Sequence, residues 1–241
     1  MPRHRHVDPM FRYRRHEDTI IVLAVRWYIS YRLSLRDLVE MLAERGLDVY
    51  PSTIWRWVQH FVPEFEKRWD RLRTPVGCSW RGDETYVQIR GRWCYLYRAV
   101  DKQGRTVDFL LRPDRGIAAA QAFFRKALET NSGRGPRTLT LDGHILSRRA
   151  LWLLRRENVL WRYVKVRTCK YLNNIVEQDH RAIKRRCSAM HGLKAFGPTA
   201  AMIAGVELAH RIRKRQFTLG RARARRRHTM KTAWDRALFG Y

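Results

Sequence analysis

The stretch RGDETYVQIRGRWCYLYRAVDKQGRTVDFLL, residues 81–111, alternates apolar with polar side chains. Two turn signals interrupt the alternation, Arg90-Gly91 and Asp101-Lys102-Gln103-Gly104. Aromatic and β-branched residues, which favour strands, are frequent in the three runs between and beside these turns. The stretch therefore predicts a three-stranded antiparallel meander with strands over 83–89, 93–101 and 105–111.

Helix and strand patterns alternate downstream of the meander. The order is helix, strand, helix, strand, and then two helices, with predicted ranges 116–130, 136–141, 147–158, 160–166, 173–190 and 198–215. Hairpin strands followed by alternating helix and strand imply a mixed α/β core, in which helices cover both faces of a mixed five-stranded sheet.

Residues 17–70 have helical periodicity instead. Ser34 and Asp37 have the spacing of a capping box, and Gly46 is expected to end the helix that this box starts. Ser52 is expected to cap a third helix. Two helices joined by a short glycine-containing turn are typical of a helix-turn-helix, although a plain three-helix packing module has the same pattern.

If the region is a helix-turn-helix, the outward side chains of its last helix would contact DNA. Hydroxyl, guanidinium and amide groups suit phosphate and base-edge contacts. The candidates on this helix are Thr53, Trp55, Arg56 and Gln59.

Charge points to a polyanionic partner. The 241 residues include 50 Lys and Arg but only 22 Asp and Glu, which gives a formal net charge of +28. The hydrophobic fraction of 45% and the aromatic fraction of 12% exclude a disordered basic tail protein, so most of the chain should fold.

Other classes of protein do not fit the sequence. No apolar run approaches the ~18 residues of a membrane span, and the N-terminal residues lack the pattern of a secretory signal. The four cysteines have no zinc-ligand spacing and are expected to be reduced thiols in a cytoplasmic protein. His4, His6 and His16 are interpreted as solvated residues of a basic tail rather than as metal ligands.

The sequence predicts five segments. Residues 1–16 form a flexible basic arm, 17–70 the helix-turn-helix, 71–80 a linker and 81–217 the α/β domain. Residues 218–241 form a basic tail.

Three carboxylates stand out in a chain with so few acids. Asp83 opens the first strand, Asp142 closes the fourth, and Glu177 lies on a helix rich in cations. Glu84 and Asp179 compete for two of these roles. Adjacent strand residues point to opposite faces, and helix residues two apart do not share a face, so only one member of each pair can join a site.

Three such carboxylates could hold two Mg²⁺ ions for in-line attack on a phosphodiester. Asn173, Asn174, Arg181 and Lys184 share the helix face of Glu177 and could hold a nucleic acid backbone. Each acid also has a structural interpretation. Asp142 could be a turn residue, Glu177 could pair with Arg181, and Asp83 could simply begin a strand.

Two long blocks resemble an insertion-sequence transposase of family six. The blocks WRGDETYV with GRWCYLYRAVD, within residues 80–101, look like the family's first catalytic block, and KYLNNIVEQDHR, residues 170–181, looks like its third. The family has 34 residues between its second Asp and its Glu, as Asp142 and Glu177 do here. It also has a Lys or Arg seven positions after the Glu, where Lys184 stands.

The resemblance implies an RNase H-like, retroviral-integrase-type core in which Asp83, Asp142 and Glu177 bind metal. It implies two Mg²⁺ ions, for which Mn²⁺ can substitute. It also implies that the helix-turn-helix binds terminal inverted repeats and that the protein cuts 3′ ends and joins them to target DNA. Cointegrate formation, a homo-oligomer on paired ends and a place in the prokaryotic nucleoid follow from the same resemblance.

Two other classes remain open on composition alone. A non-catalytic DNA-binding regulator would be equally basic, and a generic RNase H-like nuclease would cleave DNA without joining ends. The acidic triad separates the regulator from both enzymes, because a regulator does not need three converging acids.

Overall fold

The computed structural model of the protein describes residues 8–12, 15–141, 145–168, 174–188, 193–219 and 229–239. The helices are α1 (Asp18–Ser30), α2 (Leu35–Ala43), α3 (Pro51–Asp70), α4 (Ile117–Thr130), α5 (Ile145–Glu157), α6 (Val159–Arg162), α7 (Asn174–Ser188), α8 (Phe196–Arg213) and α9 (Met230–Phe239). The strands are β1 (Ser79–Ile89), β2 (Arg92–Asp101), β3 (Thr106–Arg112), β4 (Thr138–Leu141) and β5 (Lys165–Thr168).

The five strands form one mixed sheet in the order β3-β2-β1-β4-β5. The first three strands form the antiparallel meander, and β4 and β5 join it in parallel on the other side of β1. The mixed α/β class and the five-stranded sheet expected of an RNase H-like core are thus confirmed. In the register, Gly82 on β1 pairs with Leu141, the last residue of β4.

The pleat of the strands divides the core into two apolar clusters, one on each face of the sheet. Trp80 of β1 packs with α4, α5 and α6. Val87 and Ile89, at odd positions of the same strand, pack on the other face with residues of α7 and α8. Asp83 has the same parity as Val87, so its side chain belongs to the face that α7 covers.

The N-terminal helices belong to the second of these clusters. Residues of α1, α3, α8 and α9 share this single core with one face of the sheet. Gly205 on α8 permits a close approach, because a Cβ atom there would lie 2.8 Å from Cγ2 of Ile29 and 3.0 Å from Cγ2 of Val62. The predicted segments 17–70 and 81–217 are therefore packed together through one continuous core.

Two N-terminal caps of helices were predicted from the sequence, and the structure has one of them. The capping box is confirmed, since Ser34 and Asp37 exchange side-chain-to-backbone hydrogen bonds of 2.7 and 3.1 Å at the start of α2. The expected cap at Ser52 is wrong. Helix α3 begins two residues earlier than a Ser52 cap implies, at Pro51, whose fixed φ suits the first helical position, and Tyr50 is its N-cap residue.

The expected start of the fifth strand, at residue 160, is also wrong. Residues Val159–Arg162 form the short helix α6, and β5 begins only at Lys165. The Asn158 side chain accepts a hydrogen bond from the amide of Leu160 and starts the helical turn. Trp161 is buried with its ring 5.7 Å from that of Phe124. The short apolar run did not distinguish a buried turn of helix from a strand.

The described parts of both terminal segments pack on α3. Although 1–16 was expected to be flexible, Phe11 is buried and stacks 5.0 Å from Phe61. Arg68 binds both carboxylate oxygens of Asp8, at 2.6 and 2.8 Å. From the expected tail, α9 buries Trp234 against Phe65 and Trp69. The linker is shorter than expected, since β1 begins at Ser79.

We predict that Gly205→Ala lowers the free energy of unfolding by about 1–3 kcal/mol, because the added methyl group overpacks the contact with Ile29 and Val62. Gly197→Ala is the matched control in the same helix, where a Cβ atom meets nothing within 4 Å. It should leave stability unchanged or slightly raised. Urea unfolding of both variants makes the comparison, and equal stabilities would contradict the close approach of α8.

Candidate functional site

Asp83 lies at the interface between β1 and α7. Its side chain is 14% exposed, and its Oδ2 is 3.7 Å from Nδ1 of His180 on α7. Glu84 points to the opposite face and forms an ion pair with Arg115. Of the two adjacent acids, only Asp83 therefore faces the helix that carries Glu177.

Glu177 lies on the exposed side of α7, one turn before His180. A separation of three residues advances a helix by about 4.5 Å and keeps both side chains on neighbouring positions of one face. The other side of the helix is its packing face, where Val176, Ile183 and Cys187 are buried. The contact between His180 and Asp83 thus brings the helix of Glu177 against the strand of Asp83.

Asp142 lies outside the described residues, as do Asn173 and the side chain of Asn174. The described chain before Asp142 ends at Leu141, which pairs in parallel with Gly82, the residue before Asp83. Within the described ranges, no group of three His, Cys, Asp or Glu side chains forms a metal cluster. The structure therefore describes two of the three predicted carboxylates, Asp83 and Glu177.

A buried ion cluster lies behind Asp83. Arg98, directly opposite Asp83 in the register of β1 and β2, is fully buried. Its guanidinium donates to both carboxylate oxygens of Glu207 on α8, at 2.6 and 2.9 Å, and to Asp179 on α7, at 2.7 Å. The cluster joins β2 to both helices that cover this face of the sheet.

Asp179 has partners on α8 and just beyond its end as well. It lies 2.7 Å from Nε2 of His210 and forms an ion pair with Lys214. In the sequence, Asp179 was considered only as an alternative to Glu177 in the metal site. Its position in the core could have been inferred from the sequence. Asp179 lies three residues after Val176 and four before Ile183, so all three share one face of the helix.

Burial and charge set the protonation of these groups. Burial opposes the charged form of Asp179, but the hydrogen bond from His210 and the charges of Arg98 and Lys214 lower its pKa well below the usual value. Burial and the nearby charge of Arg98 lower the pKa of His180 to about 3. The imidazole beside Asp83 is therefore neutral at physiological pH.

The cations predicted to hold DNA are exposed on the same helix. Arg181 and Lys184 lie one and two turns after Glu177 and share its exposed side. The Nζ atom of Lys184 lies 4.7 Å from the ring centre of Tyr86, and this ring in turn makes an edge contact with Trp93. The exposed side of α7 therefore combines one carboxylate with cations and neighbouring aromatic rings.

The predicted DNA-contacting residues of α3 differ in their surroundings. Arg56 is exposed and donates to the Ser52 carbonyl and the Thr53 hydroxyl, at 3.3 and 3.4 Å. Gln59 is half-buried, and its amide donates to the Pro198 carbonyl at 3.0 Å. Thr53 and Arg56 line an open groove. Other side chains that line this groove are Arg15, His16, Tyr50 and His60.

Two acids of the meander have structural roles. Asp101 accepts hydrogen bonds from the turn that follows it, as expected of a turn residue. Asp108 is buried, although it lies in a strand with alternating side chains, and it binds Lys126 and the Thr130 hydroxyl. The alternation of β3 did not reveal that α4 would cover this position.

Comparisons with known proteins give a consistent result. The family described as a DDE domain matches residues 77–216. The transposase for insertion sequence-like element IS431mec of Staphylococcus aureus is 36% identical over 205 residues, which cover 85% of this chain and 89% of that protein. The transposase for insertion sequence element IS257 in transposon Tn4003, also from Staphylococcus aureus, is 35% identical over 205 residues, which cover 85% of this chain and 89% of that protein.

One solved structure similar to the chain is the HTLV-2 integrase catalytic core domain in complex with magnesium. It is 15% identical, covers 56% of this chain and 86% of its own, and superposes with a TM-score of 0.43. Among the described helices, none has both the length and the apolar character needed to cross a lipid bilayer.

We predict that Arg98→Met lowers the free energy of unfolding by about 3–5 kcal/mol, because it leaves the carboxylates of Glu207 and Asp179 buried without their shared cation. Arg125→Met breaks an exposed ion pair with Glu157 and should cost at most about 1 kcal/mol. Chemical unfolding at neutral pH compares the two variants. A similarly small effect at both positions would rule out the buried cluster as a major stabilising contact.

Proposed function

The chain belongs to the DDE transposases of insertion-sequence family six, and we propose that it cuts and joins DNA at a metal site formed by Asp83, Asp142 and Glu177. The contact between His180 and Asp83 carries this proposal, since it brings the helix of Glu177 to the strand of Asp83. The pairing of Leu141 with Gly82 directs the chain toward the same point just before Asp142. The sequence spacing between Asp142 and Glu177 supports the same set.

The donor chemistry fits a hard divalent cation. Carboxylate oxygens are the ligands that Mg²⁺ prefers, and all three proposed ligands supply them. When bound, two such ions activate the attacking oxygen and stabilise the leaving oxygen of an in-line displacement. We propose Mg²⁺ as the physiological ion, with Mn²⁺ able to replace it.

The surrounding residues have separate roles in this proposal. The neutral His180 packs against Asp83 without adding a positive charge that would compete with a cation. Arg181, Lys184, Asn173 and Asn174 contact the DNA backbone near the site. Because α7 is exposed on the side of Glu177, a DNA strand can approach the carboxylate from solvent.

The terminal inverted repeats are proposed to bind α3. Thr53 and Arg56 line its groove, and Arg56 is exposed at the start of the helix. The Gln59 amide already binds Pro198, so its contact with DNA would require this hydrogen bond to open. We further propose that the protein acts as a homo-oligomer on paired ends, forms cointegrates and works on the prokaryotic nucleoid in the cytoplasm.

We predict that Glu177→Gln reduces metal-dependent cleavage and strand transfer by more than about 100-fold, because even residues that only support metal ligands cost 10–100-fold when changed. Binding to the element ends, measured by gel shift in EDTA, should remain. Glu157→Gln changes an exposed helical glutamate on α5 that pairs with Arg125, and it is the matched control. Joining of ends by Glu177→Gln at the wild-type rate would show that the metal site lies elsewhere.

We predict that Arg56→Ala weakens binding to the terminal repeat by about 1–3 kcal/mol while leaving binding to unrelated DNA nearly unchanged. A substitution is preferable to removal of residues 1–70, since α1 and α3 share their core with α8. Lys67→Ala, at the exposed far end of α3, is the control. Competition gel shifts measure the ratio of the two affinities, and an equal decrease for both DNAs would exclude base readout by Arg56.

A further inference from the structure

The outward face of α5 carries an unusual combination of side chains. Ile145, Arg148, Arg149, Trp152 and Arg156 are spaced at three, four, seven and eleven residues from the first, so they form one stripe along the helix, called here the α5 stripe. All five are exposed, with Ile145 at 74% and Trp152 at 51%. The buried residues Ala150, Leu151 and Leu154 form the opposite face.

The charge of this region is almost entirely positive. Residues 145–168 contain seven Lys or Arg and a single acid, Glu157. Glu157 is bound to Gln121 and Arg125 of α4. Arg148 and Arg149 have no hydrogen-bond or ion-pair partner among the described residues. Among the described residues, the surface therefore combines arginines that have no partner with a single acid that is already paired. This combination fits a polyanion rather than a second copy of the same basic surface.

Aromatic side chains accompany these charges. The Arg156 guanidinium lies 4.1 Å from the centre of the Trp152 ring. Tyr163, in the turn that follows α6, is 80% exposed. Ile145 and Trp152 lie two helical turns apart on one exposed face, and a contiguous exposed apolar surface of this kind marks an interaction site. Proteins that bind single-stranded nucleic acid combine cationic grooves with aromatic rings and arginine planes on which unpaired bases stack.

The place and length of the stripe fit a DNA strand. Helix α5 begins four residues after Leu141, at the end of β4 next to the proposed metal site. Its eleven-residue advance from Ile145 to Arg156 spans about 16 Å. At about 3.4 Å per nucleotide of one strand, this length corresponds to roughly five nucleotides.

We propose that the α5 stripe is a binding surface for DNA with unpaired bases. Arg148 and Arg149 bind phosphates, and the stacked pair of Trp152 and Arg156 contacts base faces. We expect such a strand to arise where DNA opens beside the metal site, and this expectation rests on the proposed function. The binding itself requires neither metal nor catalysis, so it can be tested independently.

The test measures binding of a fluorescent 12-nucleotide oligothymidylate and of a 12-base-pair duplex, by anisotropy in EDTA. Trp152→Ala should weaken binding of the single strand by about fivefold or more and change duplex binding little, because a duplex hides its base faces. Trp152→Tyr should restore most of the affinity. Tyr31→Ala is the control, since Tyr31 is also exposed and also faces an arginine, Arg213, but lies after α1.

The charges are tested through the salt dependence of the same binding. The double variant Arg148→Ala/Arg149→Ala should reduce the slope of log affinity against log salt by about 1.4. Each phosphate of a single strand that is neutralised by a cation contributes about 0.7 to this slope, and the variant loses two such cations. Lys67→Ala with Lys231→Ala removes the same net charge from exposed positions on α3 and α9 and should leave the slope unchanged.

Three results would overturn the proposal. Trp152→Ala could leave single-strand binding unchanged, or it could weaken duplex binding to the same degree, which would indicate a general phosphate surface. It could also shift the oligomeric state in sedimentation without affecting oligonucleotide binding, which would make the stripe an interface between copies. Absence of cleavage in Glu177→Gln with normal oligonucleotide binding would support the stripe and the metal site as separate functions.

Discussion

The buried guanidinium of Arg98 is the constraint on which this molecule depends. A charge removed from water is costly unless it is paired, and Arg98 pairs with Glu207 on α8 and with Asp179 on α7. Strand β2 and both helices are thereby fixed to one another directly behind Asp83. A network of this kind contributes less to net stability than its Coulomb attraction suggests, because desolvation opposes it. Its clearer consequence is geometric, since the bonds from Arg98 to Glu207 and Asp179 hold the strand and the two helices at hydrogen-bonding distance from one another.

The same helices connect the catalytic region to the N-terminal helices. Gly205 lets α8 approach Ile29 and Val62 closely, and Arg186 of α7 lies 5.2 Å from the ring centre of Tyr28 on α1. The helix proposed to recognise DNA and the helix that carries Glu177 are thus parts of one packed body. DNA bound on α3 would have a fixed orientation relative to the carboxylates, without an intervening flexible linker.

The sequence predicted the elements whose signals are local. Strand alternation predicted the meander, the spacing of Ser34 and Asp37 predicted a real capping box, and the resemblance of two blocks identified the family. Features that depend on distant partners were missed. Phe11 and Trp234 pack on α3 from basic segments with no periodicity, and the role of Asp179 depends on Arg98, 81 residues away. Residues of opposite charge at such separations leave no pattern in a single sequence.

The proposed metal site requires that the fold bring together the segments around Asp83, Asp142 and Glu177. The most direct test is to bind Fe²⁺ in place of Mg²⁺, generate hydroxyl radicals with ascorbate and peroxide, and map the backbone cuts by mass spectrometry. We expect cuts near all three residues, which excess Mg²⁺ suppresses and the Asp83→Asn substitution abolishes. Cuts confined to one segment, or unaffected by Mg²⁺, would contradict a site shared by the three carboxylates.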